Sequence, residues 1–226
     1  MRNGCMPRNS ENADMENAPS VILYDYWRSS ASYRVRIALN LAGISHLSVP
    51  VDLLKREHKS AEHLGRNPQG LVPALFIDGH LLTQSLAIID YLSEAHGLNV
   101  LPGGHLDRTR VRAISHAIAM DIHPVCNLGV VNQVIALAGN PDETRSAWMK
   151  KFIGEGLAAV ETMMSILPGP LCFGEVPTLA DICLVPQIYN ANRWGVDLSN
   201  MPRISEAERC LAVIPAFRNA APAIPA

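Results

Sequence analysis

A cluster of hydroxyl side chains stands where a strand-like segment gives way to a helical pattern. The hydroxyls belong to Ser29, Ser30 and Ser32. The segment 21–26 before them is typical of a short buried strand, and the apolar residues after them recur at helical i, i+3, i+4 spacing as far as Gly43. Because the first N–H groups of a helix lack partners and its dipole favours an anion, this corner is suited to holding a thiolate.

The pattern around this corner predicts a small α/β domain over residues 19–103. A second strand and a short polar helix are expected within 46–66. Asp78-Gly79 then separates two short apolar runs, which is the strongest short-range signal for a β-hairpin. A third helix starts at Ser85, so the expected order is β-α-β-α-β-β-α.

Helical periodicity replaces strand patterns beyond a Pro/Gly-containing linker at 98–104. The helical stretches are about 107–138, 142–167 and 178–193. Thr178 and Asp181 have the spacing of a capping box at the start of the last stretch. An all-helical domain is therefore predicted over 104–222.

The composition indicates a soluble globular protein that acts on small molecules. The chain has 226 residues, 48% of them hydrophobic and 18% charged, and a formal net charge of −2. No dense Lys/Arg block is present, so neither nucleic acid nor an anionic membrane surface is expected as a partner. No run of about 18 apolar residues occurs, which argues against a transmembrane helix.

The cysteines and the first residues point to the cytoplasm. The five cysteines are widely spread and form no C-x-x-C pair, so we expect reduced thiols with neither a disulfide framework nor a metal site. Residues 1–18 contain no apolar stretch, which excludes a secretory signal there. We expect them to form a disordered tail.

Several motifs resemble those of glutathione transferases, and of the zeta class, the maleylacetoacetate isomerases, in particular. The motifs are Arg28-Ser29-Ser30-x-Ser32-x-Arg34-Val35-Arg36-Ile37-Ala38-Leu39, Asn67-Pro68, Val72-Pro73, Gln84-Ser85-Leu86-Ala87-Ile88-Ile89 and Asp181-x-Cys183-Leu184-Val185-Pro186-Gln187. The resemblance covers about residues 20–218. It implies a thioredoxin-like N-terminal domain, an all-α C-terminal domain, glutathione as the cofactor and a homodimer.

The reaction that the resemblance implies is the glutathione-dependent cis–trans isomerisation of maleylacetoacetate to fumarylacetoacetate, a step of tyrosine and phenylalanine catabolism. Ser29, Ser30 and Arg28 are the implied catalytic residues, with the Ser30 hydroxyl donating to the glutathione sulfur. A helix N-terminus lowers the pKa of such a thiol and favours the thiolate. Tyr26 remains an alternative, because other transferase classes use a tyrosine at the end of this strand.

The resemblance also implies a set of residues that bind the cofactor. They are Ser30, Ser32, Arg34, His58, Val72, Pro73, Gln84, Ser85, His123 and Asn127. A cis peptide before Pro73 would turn the Val72 backbone toward the pocket, where it can pair with the cysteinyl part of a peptide, whereas a trans peptide would be an ordinary strand start. The Gln84-Ser85 corner can cap a helix, and it also suits the γ-glutamyl carboxylate of glutathione.

Arg28 and Arg193 are expected to anchor a small dicarboxylic substrate, because a guanidinium binds a carboxylate in a bidentate manner. For Arg193 a surface salt bridge is an equally good interpretation. The chain departs from the zeta pattern at Ala31, where the class usually has cysteine, and at Gly129, where many bacterial relatives have a cation. Three alternatives stay open: a maleylpyruvate isomerase, a general conjugating or dehalogenating transferase, and a non-enzymatic member of the fold, the last suggested by Ala31.

Overall fold

The computed structural model describes residues 20–138 and 140–223. The tail predicted for residues 1–18 lies outside them. The N-terminal elements are β1 Ile22–Asp25, α1 Ser30–Leu41, β2 Leu47–Pro50, α2 Ala61–Arg66, β3 Ala74–Ile77, β4 His80–Thr83 and α3 Ser85–Ala95. This is the order expected from the sequence. The strands form one mixed sheet in the order β2-β1-β3-β4, in which β1 is parallel to β2 and antiparallel to β3.

The predicted hairpin joins β3 and β4. Asp78 and Gly79 have φ angles of 52° and 79°, as a two-residue turn of this hand requires. The Asp78 carboxylate accepts hydrogen bonds from the Tyr91 hydroxyl and from His96 Nε2, both at 2.7 Å. These contacts tie the turn to the far end of α3 and confirm the hairpin.

The C-terminal part consists of helices and connecting loops, with no strand among the residues described. Its helices are α4 His105–His116, α5 His123–Val125, α6 Leu128–Ala138, α7 Pro141–Ser165, α8 Leu179–Trp194, α9 Pro202–Ala212 and α10 Pro215–Ala220. The predicted capping box opens α8, where the buried Asp181 carboxylate accepts from the Thr178 N–H and hydroxyl, both at 2.7 Å. The domain bounds at 19–103 and 104–222 stay predictions from the sequence.

The helical stretch predicted over about 107–138 is helical in the structure, but it is divided into several pieces. A π-helical turn, Ala117–Ile122, follows α4, and α5 ends before α6 begins. Pro124 has no N–H to donate to the carbonyl of residue 120, and its ring crowds that carbonyl, so a continuous α-helix is blocked. No single helix among the described residues is long and apolar enough to cross a membrane. The bent pair His105–Val125 and Leu128–Ala138 has the length and composition of a membrane span, and no other feature of the described residues points to one.

Helix α1 joins the two parts of the molecule. Its inner residues Val35, Ile37 and Leu39 are fully buried, and the helix packs against α3 on one side and against α8 and α10 on the other. Asn40 Nδ2 donates to the Ala216 carbonyl at 3.0 Å, and Arg36 Nε donates to the Ala220 carbonyl at 2.9 Å. The chain end is therefore fastened to the helix that carries the hydroxyl corner.

Gly156 in α7 makes room for the π-helical turn. A Cβ at this position would overlap Cγ1 and Cδ1 of the buried Ile122. We expect Gly156→Ala to lower the free energy of unfolding by about 1–3 kcal/mol, because Ile122 would have to move. Gly154→Ala is the matched control: its Cβ would lie 3.6 Å from Val196 Cγ1, and the gain in helix propensity should raise stability by about 0.5–1 kcal/mol. Urea unfolding measures both, and effects of the same sign would contradict this packing.

Candidate functional site

The two serines at the start of α1 have different environments. Ser29 is the N-cap, and its Oγ accepts a hydrogen bond from the Ser32 N–H at 3.2 Å. Ser30 is the first helical residue and is not needed for the cap. Ser32 lies behind them, fully buried, with its Oγ unpartnered among the described residues. The Ser30 hydroxyl is therefore free of the capping role that Ser29 fulfils.

A cavity of about 540 Å³ lies where α1, the loop before β3, the start of α3 and the segment from α4 to α5 meet. The predicted site residues that line it are Arg34, Val72, Pro73, Gln84, Ser85, His123 and Asn127. Ala31 lines it as well. Most of the residues expected to bind the cofactor thus come together from both parts of the chain. The predicted residues Ser29, Ser30, Ser32 and His58 do not line this cavity, which reaches the start of α1 at Ala31.

The loop before β3 presents its backbone to the cavity. The Val72–Pro73 peptide bond is cis, as expected. Asn67, 2% exposed, braces the approach to it: its Nδ2 donates to the Leu71 carbonyl at 2.9 Å, and its Oδ1 accepts from the Gln69 N–H at 3.1 Å. A loop held in this way offers the Val72 N–H and carbonyl in a fixed position.

The start of α3 differs from the cap considered for Ser85. Gln84 occupies the N-cap position with a positive φ of 69°, and its side chain makes no capping bond. The Gln84 amide donates instead to Gln69 Oε1 at 2.7 Å. Ser85 is the first helical residue and lies at the cavity. Because neither side chain caps the helix, its first N–H groups remain available to an anion.

A positive charge lies beneath this helix start. Arg34 Nη1 donates a hydrogen bond to Ser85 Oγ at 3.2 Å, and Arg34 is 2% exposed. Burial lowers the pKa of Arg34, but a guanidinium keeps its proton at neutral pH. The charge, the Ser85 hydroxyl and the helix dipole all favour an anion at one end of the cavity.

His123 brings a neutral imidazole to the same cavity. Burial, and secondly the charge of Arg34, lower the pKa of His123 to about 3. The π-helical turn lies between His123 and His116, which also lines the cavity. His123 can therefore offer one N–H donor and one acceptor without adding a charge.

Arg28 and Arg193 lie near each other but do not line this cavity. Arg28 lies over the Trp27 ring at 5.1 Å and Arg193 over the Trp194 ring at 4.9 Å. Partial burial lowers the pKa of Arg193, and the neighbouring charge of Arg28 lowers it further. Two guanidinium groups thus share one region beside the hydroxyl corner, which is where a dicarboxylate would find two cations.

His58 does not belong to the cavity lining. It belongs to the 3-10 turn Glu57–Lys59, and its Nδ1 is buried without a partner among the described residues. Burial, and secondly the charge of Lys59, lower the pKa of His58. Its predicted contact with the cofactor stays a prediction.

The sequence did not indicate several residues that line the cavity. These are Asn67, Leu71, Leu86, Ala87, Asp90, His116, Ala119, Met120 and Pro124. Asn67-Pro68 stood among the family motifs, so a site role for Asn67 had a signal. Leu86 and Ala87 likewise belong to the motif that begins at Gln84. Leu71 lies in the loop before β3. The remaining residues lie on helical segments whose neighbours are set by tertiary packing, and no local pattern marks them.

Comparisons with known proteins agree with this geometry. Residues 19–94 match the family model "Glutathione S-transferase, N-terminal domain". The maleylacetoacetate isomerase of Rhizobium meliloti (strain 1021) is 60% identical over 207 residues, covering 91% of this chain and 97% of that relative. The chain belongs to the maleylacetoacetate isomerase family of zeta-class glutathione transferases. The family and the thioredoxin-like plus helical fold expected from the sequence are confirmed.

Solved structures of zeta-class relatives superpose closely. A maleylpyruvate isomerase, described as a bacterial zeta-class glutathione S-transferase in its holo form, has a TM-score of 0.86 at 39% identity, covering 89% of this chain and 96% of that one. A maleylacetoacetate isomerase from Anaeromyxobacter dehalogenans 2CP-1 has a TM-score of 0.80 at 38% identity, covering 91% and 95%. That structure holds dicarboxyethyl glutathione and citrate in its active site.

The two departures from the zeta-class pattern differ in position. Ala31 lines the cavity, so the thiol that the class usually has would face it. Gly129 lies in α6, where an added Cβ would meet open space. The loss of a cation at Gly129 therefore leaves the cavity wall intact, whereas Ala31 changes its chemistry.

The pKa of His123 has a consequence for acid stability. The unfolded chain takes up a proton at His123 near pH 6.5, whereas the folded chain does so only near 3, so stability is fully present above about 6.5 and falls as the pH falls. We expect His123→Gln to make the free energy of unfolding fall less steeply from pH 6.5 toward 3. Urea unfolding at several pH values measures this, and equal slopes for the two proteins would contradict a His123 that stays neutral in the folded chain.

Proposed function

We propose that this protein is a glutathione-dependent isomerase that converts maleylacetoacetate to fumarylacetoacetate. The observation that carries the proposal is the cavity, which joins a cis-proline loop, an uncapped helix start over a buried cation, and the first turn of α1 at Ala31, next to the hydroxyl of Ser30. In one thiol tripeptide, the loop would bind the backbone, the helix start would bind a carboxylate, and the corner of α1 would bind the sulfur. The family membership of the chain supports the same activity.

The residues present fit glutathione from end to end. The Val72 backbone pairs with the cysteinyl part, and the start of α3 with Ser85 holds the γ-glutamyl carboxylate. The Ser30 hydroxyl donates to the sulfur, and the N-terminus of α1 favours the anion there. His123 and Asn127 contact the cofactor from the helical side. Ser29 supports the corner through its cap.

Bound glutathione supplies a thiolate that adds to the cis double bond of the substrate and leaves after rotation. Arg28 and Arg193 hold the carboxylates of the dicarboxylic substrate and keep its double bond beside the sulfur. Arg28 and the first N–H groups of α1 stabilise the negative charge that develops on the substrate carbonyl. No protein thiol is required.

A second candidate substrate is maleylpyruvate, because a maleylpyruvate isomerase is among the superposed structures. Purified protein is given each substrate with and without glutathione, and the loss of substrate absorbance is followed. We expect glutathione-dependent turnover that is faster with maleylacetoacetate. Turnover only with halogenated or electrophilic compounds would indicate a general transferase, and the absence of all turnover would indicate a non-enzymatic member of the fold.

We propose further that the protein acts in the cytoplasm as a homodimer, as its family resemblance implies. The four cysteines in the described residues are free, which is consistent with a reducing compartment. Exposed apolar side chains at Leu106 and Met120, on and just beyond α4, would be covered by a second copy. Light scattering at micromolar concentration gives the mass, and a monomer would contradict the dimer.

Substitution of Ser30 and of Tyr26 tests which of the two side chains activates the sulfur. We expect Ser30→Ala to lower kcat by about tenfold to hundredfold, the value of a hydrogen bond to a charged group, while the Kd of glutathione changes little. Tyr26→Phe is the comparison and should leave kcat nearly unchanged. A reversed order of the two effects would move the activating role to Tyr26.

Ala31 gives a test of whether glutathione alone provides the reacting sulfur. We expect thiol-blocking reagent, removed before glutathione is added, to leave the activity intact, since none of the four described cysteines lines the cavity and Cys126, Cys172 and Cys183 are buried. Ala31→Cys should change the isomerisation rate by less than the roughly 100-fold expected for a missing catalytic group. Activity that rises by orders of magnitude from near zero would show that the natural chain is not an isomerase.

A further inference from the structure

Arg34 is a buried cation whose charge has no counter-charge. It is 2% exposed, and its Nε and Nη2 atoms are buried with no hydrogen-bond partner among the described residues. Its one hydrogen bond is the donation from Nη1 to Ser85 Oγ at 3.2 Å. A buried charge without a partner is costly, so a chain that keeps one gains something from it elsewhere.

The neighbours of Arg34 do not supply a negative charge. Burial raises the pKa of Cys183 to about 11, so this thiol stays protonated beside the guanidinium. His123 is neutral, since its pKa is lowered to about 3. No carboxylate forms an ion pair with Arg34 within the described part of the chain. A counter-charge for Arg34 would therefore have to come from a bound anionic ligand.

Arg36, on the opposite face of the same helix, is an arginine whose guanidinium is fully paired within the protein. Its Nη1 pairs with Asp25 Oδ2 at 2.6 Å, and its Nη2 and Nε donate to the carbonyls of Trp27 and Ala220 at 3.0 and 2.9 Å. Arg36 is thus paired by a carboxylate and two carbonyls. It lies outside the cavity lining, whereas Arg34 belongs to it.

We propose that Arg34 is a positioning residue that prepares Ser85 to bind the γ-glutamyl carboxylate of glutathione. Its donation to Ser85 Oγ occupies an acceptor site of that oxygen, which leaves the hydroxyl hydrogen to be donated toward the cavity. Its charge adds to the dipole of α3, so the carboxylate is the missing counter-charge. This inference rests on the proposed function, because it requires glutathione in this orientation.

Arg34 acts through Ser85 and not by direct contact. Its Nε and Nη2 atoms are buried from solvent, so a ligand in the cavity cannot reach them. Arg34 lines the cavity, and its one hydrogen bond among the described residues goes to Ser85 Oγ, so its charge acts on a ligand through that hydroxyl. The ligand-free protein thus carries an uncompensated charge that the bound carboxylate offsets.

The paired substitutions Arg34→Met and Arg36→Met separate the two roles. For Arg34→Met we expect a urea midpoint that does not fall, because a buried unpaired charge is removed, together with a Kd for glutathione that rises about tenfold to hundredfold. For Arg36→Met we expect the reverse, a lower midpoint with an unchanged Kd. If Arg34→Met lowers the midpoint and leaves the Kd unchanged, Arg34 is structural and the proposal is wrong.

Two further measurements locate the effect at the carboxylate. Titration calorimetry compares glutathione with its analogue lacking the α-carboxylate of the γ-glutamyl residue. We expect wild type to prefer glutathione and Arg34→Met to lose most of that preference. If Arg34→Met does not fold, Arg34→Lys takes its place and should show a smaller loss, because it keeps the charge without the planar fork. A preference unchanged in the variant would overturn the proposal.

The Ser85→Ala background tests whether Arg34 works through the hydroxyl. The rise in Kd caused by Arg34→Met should be smaller in Ser85→Ala than in wild type, since the hydroxyl it orients is absent. Equal rises in both backgrounds would overturn the positioning role. If wild type binds neither glutathione nor the analogue, the proposed function itself fails, whereas binding of glutathione without any Arg34 dependence overturns this inference alone.

Discussion

The burial of α1 on several sides is the constraint on which the rest of the structure depends. Its N-terminus forms the hydroxyl corner, and Arg34 on the next turn lies beneath the start of α3. Its other face is held by α8 and α10, partly through the hydrogen bond from the Tyr33 hydroxyl to the Phe217 carbonyl at 3.4 Å. Because close-packed elements transmit displacement, a shift of α1 would move the sulfur site and the carboxylate site together.

Positive charge is distributed unevenly over the site. Arg34 lies under the carboxylate end of the cavity, while Arg28 and Arg193 lie in another region beside the hydroxyl corner. The corner itself carries hydroxyls and helix N–H groups, which stabilise an anion without a full charge. Such an arrangement suits a ligand with a carboxylate at one end and a thiolate near its middle, next to a substrate with two carboxylates of its own.

The interruption of the helix after α4 brings residues of the helical part to the cavity. By ending the regular helix after α4, the π-helical turn and the short α5 place His123 and Asn127 at the cavity. The turn packs against Gly156 of α7, where a side chain would not fit. A packing detail in the helical core therefore determines which residues reach a cofactor held mainly by the α/β part.

Local signals in the sequence determined the elements near the chemistry. Hydroxyls before a periodic run predicted the corner at Ser29 and Ser30, and Asp78-Gly79 predicted the hairpin. The family resemblance predicted part of the cavity lining, including Arg34 and Ser85. Local spacing could not show that Pro124 breaks a long helix, nor that Gln84 and not Ser85 occupies the cap. Only the tertiary structure decided that two arginines of one helix differ, because residues two apart on a helix face different neighbours. Arg36 meets a carboxylate and two carbonyls, while Arg34 meets one hydroxyl at the edge of the cavity.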